Sequence, residues 1–67
     1  MKLPNGERLW TSYYDSNGEL LFVITSKHTR DFYFLYELVD GEFKRLGRAK
    51  SPLELEERFN VKDKMTA

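Results

Sequence analysis

The sequence predicts an α+β fold, an antiparallel meander of about four strands (approximately 8–14, 19–26, 31–39 and 42–49) with one short C-terminal helix (52–59) packed on one face. Three observations carry this expectation. The residue pattern has period two, with no helical periodicity, up to residue 49. Turn residues interrupt the alternation about every ten residues, the spacing of a small all-β meander. Helical periodicity begins only at residue 51, behind a well-marked helix start.

The first strand, Arg8 to Tyr14, ends at Asp15-Ser16-Asn17-Gly18, where Asn-Gly suits the two positive-φ positions of a type I′ hairpin turn. In the second strand, Leu20, Phe22 and Ile24 share one face while Leu21, Val23 and Thr25 share the other. The third behaves alike, with Phe32, Phe34, Tyr36 and Leu38 on one side and Tyr33, Leu35 and Val39 on the other. Centring the intervening hairpin on His28 aligns Ile24 with Phe32 and Phe22 with Phe34, joining the aromatic faces. Asp40-Gly41 signals a second two-residue turn. Its register sets Leu38 opposite Phe43, Glu37 opposite Lys44, Leu35 opposite Leu46, Tyr33 opposite Arg48 and Asp31 opposite Lys50.

Ser51-Pro52-Leu53-Glu54 places a serine N-cap, a proline at the first helical position and a capping-box glutamate at the third. Leu55 and Phe59 then lie on one helical face, and Asn60 suits the left-handed residue that ends a helix. So short a helix must lie on the sheet, and the expected face is that of Phe22, Phe34 and Phe43. Residues 1–61 are read as one small domain and 62–67 as a frayed tail.

A chain of 67 residues has a thin core, since it buries only about 60% of its unfolded surface. With no cysteine and one histidine, disulfides and transition-metal sites are not available as staples, which leaves aromatic packing or oligomerisation. The longest apolar run, Leu20 to Ile24, is too short to span a membrane, and the first residues lack a signal peptide's apolar stretch. A cytoplasmic location is the default expectation.

No constellation points to catalysis, and neither a cofactor nor a small-molecule substrate is expected. Ser26, His28 and Asp31 are catalytic residue types, but one hairpin tip offers no enclosure and no oxyanion hole. Asp15 to Glu19 lacks the further ligands of a calcium loop. The glycines are isolated, so there is no phosphate loop, and Gly47 inside a strand indicates a bulge or close packing.

Eleven basic and eleven acidic residues cancel. An up-down meander nevertheless sorts them, gathering Arg8, Lys27, His28, Arg30, Arg48 and Lys50 at one end and Asp15, Glu19, Asp40 and Glu42 at the other. Glu7 and Asp31 dilute the basic end. The second sheet face combines Trp10, Tyr14, Leu21, Val23, Tyr33, Leu35 and Leu46, and one two-turn helix cannot cover both faces. Coiling of the sheet, or a fold-over of Leu3-Pro4, would also cover them.

The leading expectation is therefore a non-enzymatic interaction or self-association module, with a protein partner or a second copy seated on those seven residues and Trp10 as the principal anchor. The alternative is a nucleic-acid-binding module using the basic end. In element order alone the chain resembles the arm-type DNA-binding domains of some integrases, which bind through their sheet.

Overall fold

The computed structural model describes residues 7–27 and 32–65. Four antiparallel strands, β1 (Arg8–Tyr14), β2 (Leu20–Ser26), β3 (Tyr33–Val39) and β4 (Glu42–Ala49), form one sheet in the order β1-β2-β3-β4. Two short helices follow, α1 (Pro52–Arg58) and α2 (Val61–Met65), so the α+β meander is as the sequence predicts. Among the described residues no helix is long and apolar enough to cross a membrane.

The Asp40-Gly41 turn has the expected type I′ character, with φ of 52° and 81°. The first hairpin differs. Only Gly18 takes a positive φ there, 81°, and Asp15 pairs with Glu19, its N–H donating to the Glu19 carbonyl at 2.9 Å. The loop is thus Ser16-Asn17-Gly18, a three-residue connection with glycine in the left-handed position. Asp15 decides this outcome, because its Oδ1 accepts from the N–H groups of Asn17 (2.8 Å) and Glu19 (2.9 Å) and fixes the turn from inside.

The second hairpin corrects the sequence reading most. Ile24 faces Leu35, Phe22 faces Glu37, Val23 faces Tyr36 and Thr25 faces Phe34. Centring on His28 placed Phe22 opposite Phe34, which is three residues out of register. Ser26 pairs with Tyr33 and leaves a six-residue connection, 27–32, so the centre falls between residues 29 and 30. An odd shift sends side chains to the opposite face. Phe22 and Phe34 therefore lie on opposite sides of the sheet.

Three one-residue bulges complete the pattern, with Trp10 extra on β1, Leu21 on β2 and Leu46 on β4. The last holds the expected pairs Leu38 with Phe43 and Glu37 with Lys44, then sets Leu35 opposite Gly47 and Tyr33 opposite Ala49 rather than Leu46 and Arg48. Asp31, expected opposite Lys50, lies outside the described residues.

Ser51 caps α1 as predicted, its Oγ accepting from the Glu54 N–H at 3.2 Å, and Asn60 is left-handed with φ of 52°. The Glu54 carboxylate pairs with Arg58, one turn along the helix. The tail expected from residue 62 is helical as far as Met65. Asn60 turns the chain so that fully buried Val61 joins Leu55 over the sheet. Together they cover Tyr13, Phe22, Ile24, Leu35 and Ala49, with Phe59 and Met65 at the margin. Of the three residues expected beneath the helix, only Phe22 is there; Phe34 and Phe43 belong to the other face.

Gly47 shows why β4 needs a glycine beside its bulge. A Cβ at this position would stand 2.7 Å from Cζ of the Phe59 ring. Gly47→Ala is expected to displace that ring and cost about 1–3 kcal/mol. Phe59→Leu should relieve part of the loss in the double variant, which a chemical-denaturation cycle measures. Additive effects would contradict the steric account.

Candidate interaction surface

The uncovered sheet face is closed by a polar lid. Glu7, just before β1, has a side chain with no exposed surface. Its Oε1 accepts from Thr25 Oγ1 (2.5 Å) and from the Tyr36 hydroxyl (2.7 Å), while Arg45 donates to its Oε2 at 2.7 Å. Arg45 also donates to the Tyr36 hydroxyl, from Nη2 at 2.6 Å and from Nε at 3.1 Å. Its guanidinium lies 4.3 Å from the centroid of the Phe34 ring, and Phe43 meets Tyr36 edge to face. Val23, Phe34 and Tyr36 are buried beneath.

This network draws one group from the start of β1 and one from each of the other strands. It is saturated: among the described residues no buried side-chain nitrogen or oxygen lacks a hydrogen-bond partner. Its residue types can hold a carboxylate, but the Thr25 and Tyr36 hydroxyls and Arg45 Nη2 already donate to Glu7. Its role is to fasten the four strands on the side the helices leave open. Alternation alone reads Glu7 as a solvated charge near the basic end and gives Arg45 no role; only a register that brings them together reveals the pair.

Two buried tyrosines sharpen the electrostatics. Burial raises the pKa of Tyr13 well above its ordinary 10.0, helped by its hydrogen bond to Glu56. Tyr36 is raised too, by burial first and then by its bond to Glu7, against the opposing pull of Arg45. In the unfolded chain both titrate near their ordinary value, so their contribution to stability is complete below pH 10 and declines as pH rises toward the folded-state values. A thermal-melt series through that range should show the decline, with a shallower slope for Tyr13→Phe. An identical slope would contradict the assignment.

The seven residues expected to bind a partner do not form one face. Leu21, Tyr33, Leu35 and Leu46 belong to the helix-covered cluster, and Leu35 is fully buried. Val23 is buried on the opposite side. Trp10 and Tyr14 remain exposed, at 56% and 49%, and Trp10 stands edge to face with Tyr33 at 5.2 Å. Tyr14 lies opposite Leu20, on the side of Val23 and Tyr36. The three-residue register shift between β2 and β3 separates Val23 from Tyr33 and Leu35, and the bulges at Trp10 and Leu21 divide β1 and β2, since each odd displacement reverses the alternation.

The same reversal uncovers a residue that alternation had not singled out, Leu9, which is 55% exposed. Leu9, Trp10 and Tyr14 are three of the four large apolar side chains exposed among the described residues, and all three stand on β1, an edge strand. From Leu9 to Tyr14 the strand carries no charge. The other edge contrasts with it, since β4 and the residue after it expose Glu42, Lys44, Arg45, Arg48 and Lys50. Charged edges resist the addition of another strand; β1 has only its bulge.

Of the basic set, Arg8, Lys27, Arg48 and Lys50 share the end of the sheet where Ser26 meets Arg8 and Tyr33 meets Ala49. Arg48 is partly engaged, with its guanidinium 5.0 Å from the centroid of the Phe32 ring. His28 and Arg30 lie outside the described residues. Asp15, Glu19, Asp40 and Glu42 occupy the two tight hairpins at the opposite end.

Among the described residues no group of three or more His, Cys, Asp or Glu side chains is arranged to hold a metal ion. A depression of about 170 Å³ between α1 and α2 is lined by Leu53, Glu56, Glu57, Asn60, Lys62 and Asp63, none of them in the expected binding sets. Comparison with protein-family models, with curated proteins and with solved structures finds no match.

Proposed function

We propose that this protein is a small non-enzymatic interaction module whose contact surface is the β1 edge, with Leu9, Trp10 and Tyr14 as apolar anchors. The observation that carries the reading is the concentration of half-exposed large side chains on one edge strand that is uncharged from Leu9 to Tyr14, while the other edge is charged. Edge strands bind through main-chain hydrogen bonds, and flanking aromatic residues supply buried area. The surface is narrower than a whole sheet face, because both faces are already closed.

Site-specific photocrosslinking in cells tests it. A benzophenone side chain at position 10 or 14 should yield discrete adducts, with itself or with another protein, whereas the same probe at Lys44 on β4 should not. Equal labelling from both edges, or none from β1, would defeat the reading.

Nucleic-acid binding is the second reading, favoured by the convergence of Arg8, Lys27, Arg48 and Lys50 at one end. Phosphate contacts make affinity steeply salt-dependent, so binding of a labelled duplex or single strand at about 50 mM salt, lost on raising it, would support this reading. No binding at that salt would end it.

A further inference from the structure

We infer that the β1 edge takes a second copy of this chain, the two β1 strands pairing antiparallel about a two-fold axis at Ser12 to make a continuous eight-stranded sheet. The inference rests on the assignment of the β1 edge as the contact surface and names its occupant.

The backbone sets the phase of this pairing. The Asp15 N–H points inward to Glu19, so in a regular strand the alternate residues Tyr14 and Ser12 direct their N–H groups outward. A two-fold axis through Ser12 then sets Ser12 opposite Ser12 of the second copy and Thr11 opposite its Tyr13. Trp10 is an extra residue, and it shifts the pairing by one beyond that point, as it does on the inner side against β2. Past the bulge, Leu9 falls opposite Tyr14 of the second copy and Arg8 opposite its Asp15.

That register is chemically self-complementary. The only charged residues at the ends of the segment, Arg8 and Asp15, meet their opposites twice across the axis. The half-exposed Leu9 and Tyr14 cover one another twice. Opposite charges and apolar pairs across strands are stabilising, and a two-fold interface repeats each of them. The same operation on β4 would juxtapose with itself a strand that carries Glu42, Lys44, Arg45 and Arg48, a net charge of +2. A short chain without cysteine also gains from a second copy the burial that its own core lacks.

Sedimentation velocity at about 100 μM, where micromolar association is nearly complete, should give twice the 8.0 kDa of one chain. Arg8→Glu sets like charges together at both ends and should weaken the dimer roughly tenfold. Arg8 is exposed, so its fold should persist by circular dichroism, and Leu9→Lys gives an independent second disruption. Because the chain has no cysteine, Ser12→Cys provides a register test. Directly opposed residues lie within disulfide reach, so mild oxidation should produce a covalent dimer that Lys44→Cys does not.

A monomer at that concentration, with no Ser12→Cys cross-link, overturns the self-pairing and leaves the β1 edge open to another protein. A dimer that ignores Arg8→Glu and Leu9→Lys and does not cross-link at residue 12 overturns the self-pairing and counts against the β1 edge itself.

Discussion

Glu7→Ala is expected to be the most damaging single change in the protein, costing about 3–5 kcal/mol. The side chain has no exposed surface and its two oxygens accept from Thr25, Tyr36 and Arg45. Truncation leaves the hydroxyl protons of fully buried Thr25 and nearly buried Tyr36 without an acceptor, at about 1–3 kcal/mol for each buried group left unsatisfied, although the Tyr36 oxygen still accepts from Arg45. Arg45 suffers less, because 43% of its side chain is exposed and water can replace the carboxylate. A domain of this length holds only roughly 3–10 kcal/mol in total, so the variant should lose about a third or more of its stability. Urea unfolding with a free m-value measures the loss. Glu7→Gln retains an acceptor for the two hydroxyls and should lose less. Replacing Glu7, Thr25, Tyr36 and Arg45 together by Met, Val, Phe and Met should recover much of the deficit, since an apolar set leaves no hydroxyl or charge without a partner. A Glu7→Ala variant within about 1 kcal/mol of the parent would show that the lid does not hold the four strands together.

Leu55→Ala should come next, at about 2–5 kcal/mol. Leu55 is fully buried and centres the contact of α1 with the sheet. A seven-residue helix has no independent stability, so loss of its anchor reaches beyond the cavity left behind. Hydrogen exchange should show the amides of α1 and α2 losing protection ahead of the central strands. Leu53→Ala on the same helix is the control, because Leu53 is 59% exposed and its loss should change stability by no more than about 0.5 kcal/mol. Unchanged helix protection in Leu55→Ala would mean that the helices dock mainly through Val61 and Phe59.

The two variants probe opposite sides of one sheet, and the contrast explains why the partner surface could not be located from alternation. The sequence reading closed one face with a helix and left the other for a partner. In the folded protein one side is closed by α1 and α2, and the other by Glu7, Arg45 and the rings they cover. Four of the seven residues set aside for a partner lie in the cluster under the helices. Trp10 and Tyr14 kept their expected exposure because an edge strand has neighbours on one side only.

What the sequence determined by itself is local. Asp40-Gly41 makes its type I′ turn, Ser51-Pro52 starts α1 and Asn60 ends it, because the steric and hydrogen-bonding preferences of these residues act within a few positions of the chain. Strand positions and the meander order follow from the same short-range patterns. The tertiary structure decided everything that depends on parity. The length of the connection between β2 and β3, and the bulges at Trp10, Leu21 and Leu46, each move side chains from one face to the other, and they arise from packing between strands rather than from any single residue's preference. Gly47 could be read as a bulge or a close approach; the bulge falls one residue earlier, at Leu46, and Gly47 is the close approach, to a Phe59 ring at the end of a helix placed only when the sheet exists.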